Sequence, residues 1–271
     1  MPTAGDPLMA KPIHPKAFLI AETRVDEVAI SDALKHLGVE GWTSDAATDA
    51  DLLVEFAGKS CYMSFDTSLN QNLTKVGGRN NHDYIQQGII ANQHNSVLEH
   101  ATVTFFLVNV SRVVTHEIVR HRAGTAFSQT SGRYVRSDEI SYYIPKDIYD
   151  EGGHVLATFT DAFRQMEDNA RKLVSASNID SKPFSLKKRL TSAFRRIIGN
   201  GQANHIVVTA NHRAWRHMIE MRTSVHAEEE IRVIFADISR QLRERFKTIY
   251  ADAQVSEVDG IEVTKFEHSK V

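Results

Sequence analysis

The sequence predicts an α+β fold in one large domain, and three observations lead there. The chain has 271 residues, 42% hydrophobic and 24% charged, which are ordinary values for a folded chain with a substantial core. One run, Thr102 to Val110 (TVTFFLVNV), is β-branched and aromatic enough to be a strand, while most of the second half has helical periodicity. No internal repeat or low-complexity linker divides the chain, and neither a G-x-G-x-x-G after a strand nor a P-loop is present. The domain is expected over 16–271, behind a loose terminus at 1–15 rich in Pro, Gly and Lys.

The elements follow in order. Ala17 to Glu22 reads as a short strand, and Asp26 to Leu37 has helical spacing. Ser44 can cap a helix to Cys61 with apolar positions at Leu52, Leu53, Phe56 and Ala57. Gly77 to Asn81 (GGRNN) is a loop, and Asp83 to Asn92 a helix. After the strand at 102–110, Ser111 can cap a helix running to about Arg122, whose last-turn cations Arg120 and Arg122 suit its macrodipole. Ala123 to Gly132 reads as a loop and Ser141 to Ile144 as a strand ended by Pro145. Helical periodicity then covers Gly153 to Ala176, Ser185 to Ile198, Thr209 to Arg222 and Ala227 to Ala253. Val258 to Phe266 alternates as a late strand does.

Composition narrows the function. Net charge is −2, so the chain is not globally basic. A lone cysteine, Cys61, rules out an internal disulfide framework and suits a reducing compartment. No apolar run approaches the length of a membrane span, and the N-terminus lacks a secretion signature, so a cytoplasmic protein is expected. The charge is unevenly placed. Arg112 to Arg136 holds five arginines and one acid, Glu117. Lys182 to Arg222 holds nine Lys or Arg and one acid, Glu220. Two such segments can converge on one anion, or form two solvated helix faces.

The densest chemistry lies in Arg120 to Tyr134, RHRAGTAFSQTSGRY. It combines three arginines, a histidine, two glycines and five hydroxyls. Guanidinium forks, hydroxyls and glycine amides together make a cradle for phosphate or carboxylate. A zinc reading of His116-Glu117 and His121 fails. The histidines are five apart, about 140° round a helix instead of on one face, so no metal is expected. Ser128 and Ser131 lie in no G-x-S-x-G elbow, and Cys61 reads as a packed thiol. On the helix at 209–222, Asn211, Trp215, Met218 and Arg222 share one stripe, and Arg213 and His217 another. A core helix explains Trp215 and Met218. The Asn, Arg and His beside them need polar partners.

These residues resemble the flavin-dependent thymidylate synthases. The signature is Arg120-His121-Arg122, eight intervening residues, then Ser131-Gly132-Arg133-Tyr134. The likeness runs from about Phe56 to Tyr250. It takes in Ala57-Gly58-Lys59-Ser60, His94 through Glu99-His100, Ser141-Tyr142-Tyr143-Ile144-Pro145, Arg195, Asn211-His212-Arg213, Arg222 and His226. The spacer is one residue longer than in many members. Ser128 and His217 stand where Asn is common, and Gly199 where Pro is.

The resemblance implies an α+β fold with a central, mainly antiparallel sheet and flanking helices, without a Rossmann motif. It implies conversion of dUMP to dTMP, with methylenetetrahydrofolate as carbon donor and NADPH as reductant through bound FAD. It implies a homotetramer with active sites between subunits. Glu117, Arg120, Gln129, Thr130, Ser131, Gly132, Arg133, Arg195 and Arg222 would meet dUMP, with Arg196 an alternative to Arg195. Ser60, Ser96, Glu99, His121, Arg122, Ser128, Asn211, Arg213 and His217 would meet FAD, and His94 and Tyr134 the flavin ring and folate. Arg222 or Arg120 would be the catalytic cation, stabilising negative charge on the pyrimidine. Ser131 would bind and not attack. The rival from another class is a nucleic-acid-binding module on the two basic segments, against which the near-neutral charge counts. A related flavoenzyme making another modified pyrimidine nucleotide is the nearer alternative.

Overall fold

The computed structural model describes residues 10–65, 79–136 and 139–269. Its centre is a four-stranded sheet in the order β2-β3-β6-β4, formed by β2 (Lys16–Glu22), β3 (Thr102–Ser111), β4 (Thr125–Gln129) and β6 (Ala203–Asn211). Every pairing in it is antiparallel. The α+β architecture and the central antiparallel sheet are therefore as expected.

Alternation builds the core. Val103, Phe105 and Leu107 of β3, with Ile206, Val208 and Ala210 of β6, point to one face and are fully buried. Two helices cover that face, α8 (His212–Arg222) and α9 (Glu229–Arg245). Trp215 of α8 packs edge-on to Phe105 and donates its indole N–H to the Val103 carbonyl at 3.1 Å. Each such large apolar side chain contributes about 1.5–3 kcal/mol by leaving water. The opposite face carries Phe18, Phe106, Val207 and Ser128 in register across the four strands. Phe18 there is 43% exposed.

The remaining elements frame the sheet. They are α1 (Glu27–His36), α2 (Asp49–Tyr62), α3 (Asn81–Asp83, continuing as a π-helical segment Tyr84–Ile90), a 3-10 turn Asn95–Glu99 and α4 (Arg112–Ile118). After β5 (Ser141–Tyr142) come α5 (Lys146–Glu151), α6 (Gly153–Ser177) and α7 (Phe184–Phe194). A hairpin of β7 (Ala253–Val258) and β8 (Ile261–Phe266) closes the chain. Strand β1 (Lys11–Pro12) pairs with β5, so the loose terminus expected over 1–15 is ordered structure at 11–12, and 1–9 lie outside the described residues. Of the GGRNN loop, Gly77 and Gly78 lie outside them too, and Asn81 already opens α3.

Several boundaries depart from expectation, among them the helix expected over Ala227–Ala253, which ends at Arg245 before Ala253 opens β7, and the strand expected over Val258–Phe266, which is divided between β7 and β8. Thr48 caps α2, accepting from Asp51 N at 3.2 Å, and Ser44 instead donates to Glu55. Ser111 does cap α4, but the helix stops at Ile118, so Arg120 and Arg122 lie beyond its last turn. The expected loop at 123–132 contains β4, whose pairing with β6 satisfies its backbone. The expected helix at 209–222 begins only at His212, because Thr209 to Asn211 end β6, a strand whose residues 203–208 the sequence pattern assigns to no element.

Candidate active site

Two helices and the turn after the first of them bring the first cluster together. Glu117 comes from the last turn of α4, His121 from the turn after it, and His217 and Arg222 from α8. Arg222 donates from Nε to His121 Nε2 at 2.9 Å and from Nη1 to Glu117 Oε2 at 2.7 Å. Its Nη2 has no partner among the described residues. The His121 ring meets His217 edge-on at 5.9 Å. Burial, then the Arg222 and His217 charges, push the His121 pKa down to about 4. His121 is therefore neutral near pH 7, with its proton on Nδ1 and the Nε2 lone pair free to accept from Arg222.

The second cluster is the turn after β4. Thr130 donates from both N and Oγ1 to the His205 carbonyl, at 2.9 and 3.2 Å. Ser131 Oγ accepts from Arg133 N at 3.3 Å, and its carbonyl accepts from Tyr134 N at 3.0 Å, which closes the turn. A Cβ on Gly132 would lie 3.4 Å from Arg112 Nη2 and 3.4 Å from Arg195 Cδ. Gln129, on β4, donates to the buried Thr115 hydroxyl at 3.1 Å.

Other expected residues stand elsewhere. His94 and Ser96 line a groove of about 550 Å³ with Gly58, Tyr84 and Val97. Ser60 lies on α2 beside that groove and donates to the Phe56 carbonyl at 2.7 Å. Glu99 pairs with Arg213, both about half exposed. Ser128 is exposed on the sheet face opposite α8 and α9. Asn211 caps α8, its side-chain oxygen accepting Ala214 N at 2.8 Å. Tyr134 is exposed under the Lys188 ammonium, 4.7 Å from its ring.

Cation pairing is unevenly distributed among the arginines. Elsewhere Arg136, Arg171, Arg216, Arg243 and Arg245 each hold a carboxylate. Arg120, Arg122, Arg133, Arg195 and Arg196 have no side-chain partner among the described residues. Unpaired guanidiniums gathered on one stretch favour an anionic ligand. The expected flavin dinucleotide also fits its donor set. Arg122 is unpaired and Arg213 accessible, as a diphosphate requires. The buried Asn95 side-chain oxygen, beside Arg213 and His217, lacks a hydrogen-bond partner. Sequence reading missed Arg112, Thr115 and Lys188 as neighbours of these residues. Only the Ser111-Arg112 step into a basic segment hinted at the first.

The chain resembles known proteins along most of its length. The family model described as thymidylate synthase complementing protein matches residues 44–246, well over half the chain. The flavin-dependent thymidylate synthase of Mycobacterium tuberculosis (strain ATCC 25618 / H37Rv) is 37% identical over 247 residues, covering 90% of this chain and 95% of that one. The one from Mycobacterium avium (strain 104) is 37% identical over 248 residues, with the same coverage. Among solved structures, Thymidylate Synthase X from Helicobacter pylori with FAD and dUMP superposes with TM-score 0.57 at 19% identity, covering 88% of this chain and 98% of that one. The UMP/dUMP methylase PolB from Streptomyces cacaoi bound with 5-Br UMP superposes with TM-score 0.61 at 16% identity, covering 89% and 95%. Those two share the fold. From the family match and the identity to the mycobacterial enzymes, this chain belongs to the flavin-dependent thymidylate synthase family.

Proposed function

We propose that the protein converts dUMP to dTMP, taking a methylene group from methylenetetrahydrofolate and reducing equivalents from NADPH, with FAD as cofactor. The observation that carries this reading is the set of unpaired arginines at 120–133 and 195–196, in a chain whose other arginines mostly hold carboxylates. In it, Gln129, Thr130, Ser131, Gly132, Arg133 and Arg195 surround the nucleotide, with Glu117, Arg120 and Arg222 at its base. Ser60, Ser96, Glu99, His121, Arg122, Ser128, Asn211, Arg213 and His217 hold FAD, and His94 and Tyr134 flank the flavin ring and folate.

Bound FAD would supply the redox chemistry that completes the methyl group. The residues of the chain bind, orient and polarise. Glu117 and neutral His121 fix two of the three Arg222 nitrogens, which leaves Nη2 to donate to a pyrimidine oxygen. As C5 becomes nucleophilic, negative charge spreads onto that oxygen, and a pre-aimed guanidinium stabilises it without reorganising. Ser131 binds through its hydroxyl and forms no covalent bond, since C5 attack needs no enzyme nucleophile.

The working unit in this reading is a cytoplasmic homotetramer of single catalytic domains at 16–271, with active sites shared between subunits. Its support is the exposed Phe18 on the sheet face opposite α8 and α9, and the exposure of Arg120, Arg122 and Ser128 among the described residues. No described helix is long and apolar enough to cross a membrane. The test is direct. Purified protein should bind FAD with a shifted flavin spectrum, and with NADPH and the folate it should turn dUMP into a product of the mass of dTMP. Failure to bind flavin sinks the proposal. Methylation of UMP but not dUMP would point to a modified-nucleotide enzyme instead.

A further inference from the structure

We propose that Arg112 is a further substrate-binding residue, which closes with Arg195 on the nucleotide phosphate across Gly132. The inference rests on the proposed function and extends it to a residue outside the Arg-His-Arg signature. Its basis is geometric. Arg112 opens α4, and Arg195 follows α7, 83 positions later in the chain by subtraction. Both flank the Gly132 backbone, at 3.4 Å each from the position a Cβ would occupy. Beside Arg112, a cavity of about 190 Å³ is lined by Arg112, Thr130, Gly132, Arg136, Glu139 and His205, and Arg195 lines the neighbouring cavity on the other side of Gly132.

The pair lacks a counter-ion. Arginines withdrawn from solvent otherwise hold carboxylates here: Arg136, Arg171, Arg216, Arg222 and Arg243. Arg112 is withdrawn too and has no partner among the described residues. Arg79 shares that condition, but it borders 66–78, outside those residues. Burial and then the Arg195 charge hold the Arg112 pKa below its usual range. Arg112 is half-buried and Arg195 exposed, so their repulsion bears mainly on Arg112, and a dianion between them reverses the sign of the interaction. A nucleoside monophosphate carries such a dianion, and two forks can take its three terminal oxygens. Glycine at 132 keeps the backbone close to both, where a methyl group would crowd the Arg112 fork and the aliphatic stem of Arg195.

The experiment compares Arg112→Gln and Arg112→Lys with the wild-type holoenzyme. The expected result for Arg112→Gln is a rise in KM for dUMP of about thirtyfold, the order of one lost charge-assisted hydrogen bond. FAD occupancy and kcat at saturating dUMP should stay within about threefold. Turnover of deoxyuridine, which lacks the phosphate, should be unchanged, so the preference for dUMP over deoxyuridine falls. Arg112→Lys should lie between, since it keeps charge but not the fork. Equal losses on dUMP and deoxyuridine, or an unchanged KM for dUMP, overturn the assignment. A change in subunit association with KM intact overturns it in favour of a contact between copies. If the wild type does not act on dUMP, the functional reading fails. The phosphate site is then judged by titrating inorganic phosphate into wild type and Arg112→Lys, with weaker binding expected in the variant and equal binding overturning the assignment.

Discussion

Gly124→Ala tests whether the edge strand and the helix that carries Arg222 are locked together through one asparagine. Gly124 has φ +67 just before β4, and its carbonyl accepts Asn211 N at 3.1 Å. A Cβ there would fall 2.3 Å from Asn211 Nδ2 and 2.9 Å from Cγ. That side chain is the cap of α8, so it can retreat only by releasing Ala214 N. Two terms add. The left-handed backbone costs a non-glycine residue about 1–2 kcal/mol, and loss of an asparagine cap about 1 kcal/mol. The sum is about 2–3 kcal/mol, or roughly 4–12 °C in Tm for a chain of this size. Gly260→Ala is the control. Its φ is +75, but nothing lies within 4 Å of an added Cβ, so it carries the backbone term alone. Urea unfolding of both variants, followed by circular dichroism, isolates the cap as the difference, about 1 kcal/mol. If Gly124→Ala is no less stable than Gly260→Ala, the lock between strand and helix is refuted.

Arg222→Lys should keep FAD but lose at least about tenfold in kcat/KM for dUMP, because lysine cannot satisfy Glu117 and His121 while also reaching a pyrimidine oxygen. Unchanged steady-state kinetics would remove Arg222 from the chemistry. Ser131→Ala should retain measurable methyl transfer, and complete loss with dUMP and FAD still bound would argue for a chemical role. Acid unfolding reports on His121, whose folded pKa of about 4 lies below its ordinary 6.5. A depressed histidine adds stability that is full above pH 6.5 and lost as pH falls through 6.5 toward 4. Wild type should therefore lose more stability than His121→Asn between pH 7 and 4, and parallel pH profiles would show that the histidine is not held neutral.

Much of the design was legible along the chain. Thr102 to Val110 had to be a strand because alternate apolar residues of that type fit only a half-buried pleat, and its inward set, Val103, Phe105 and Leu107, is buried as that pattern requires. The concentration of arginines and hydroxyls at 120–134 marked an anion site, since the residue types themselves carry the donors. What misled was local ambiguity. Asn204, Ile206, Val208 and Ala210 alternate, but they run into the helical stripe of Trp215 and Met218, and only pairing with β3 on one side and β4 on the other makes them the centre of a sheet. Thr125 to Gln129 is too short to announce itself, and its strand conformation depends on the open edge of β6.

The site divides in the same way. Sequence alone determined which chemical groups are present, because charge and hydrogen-bonding capacity are properties of side chains. Tertiary structure decided which of them are occupied. Arg216 on α8 is consumed by Asp252, and Arg222, one and a half turns on, keeps Nη2 free, a distinction no spacing rule contains. It also decided that His121 is neutral and that Arg112 stands beside Arg195. Both follow from burial and from distances between residues far apart in the chain, and these exist only once the fold has set α8 beside the end of α4, and Arg195 beside Arg112 at Gly132.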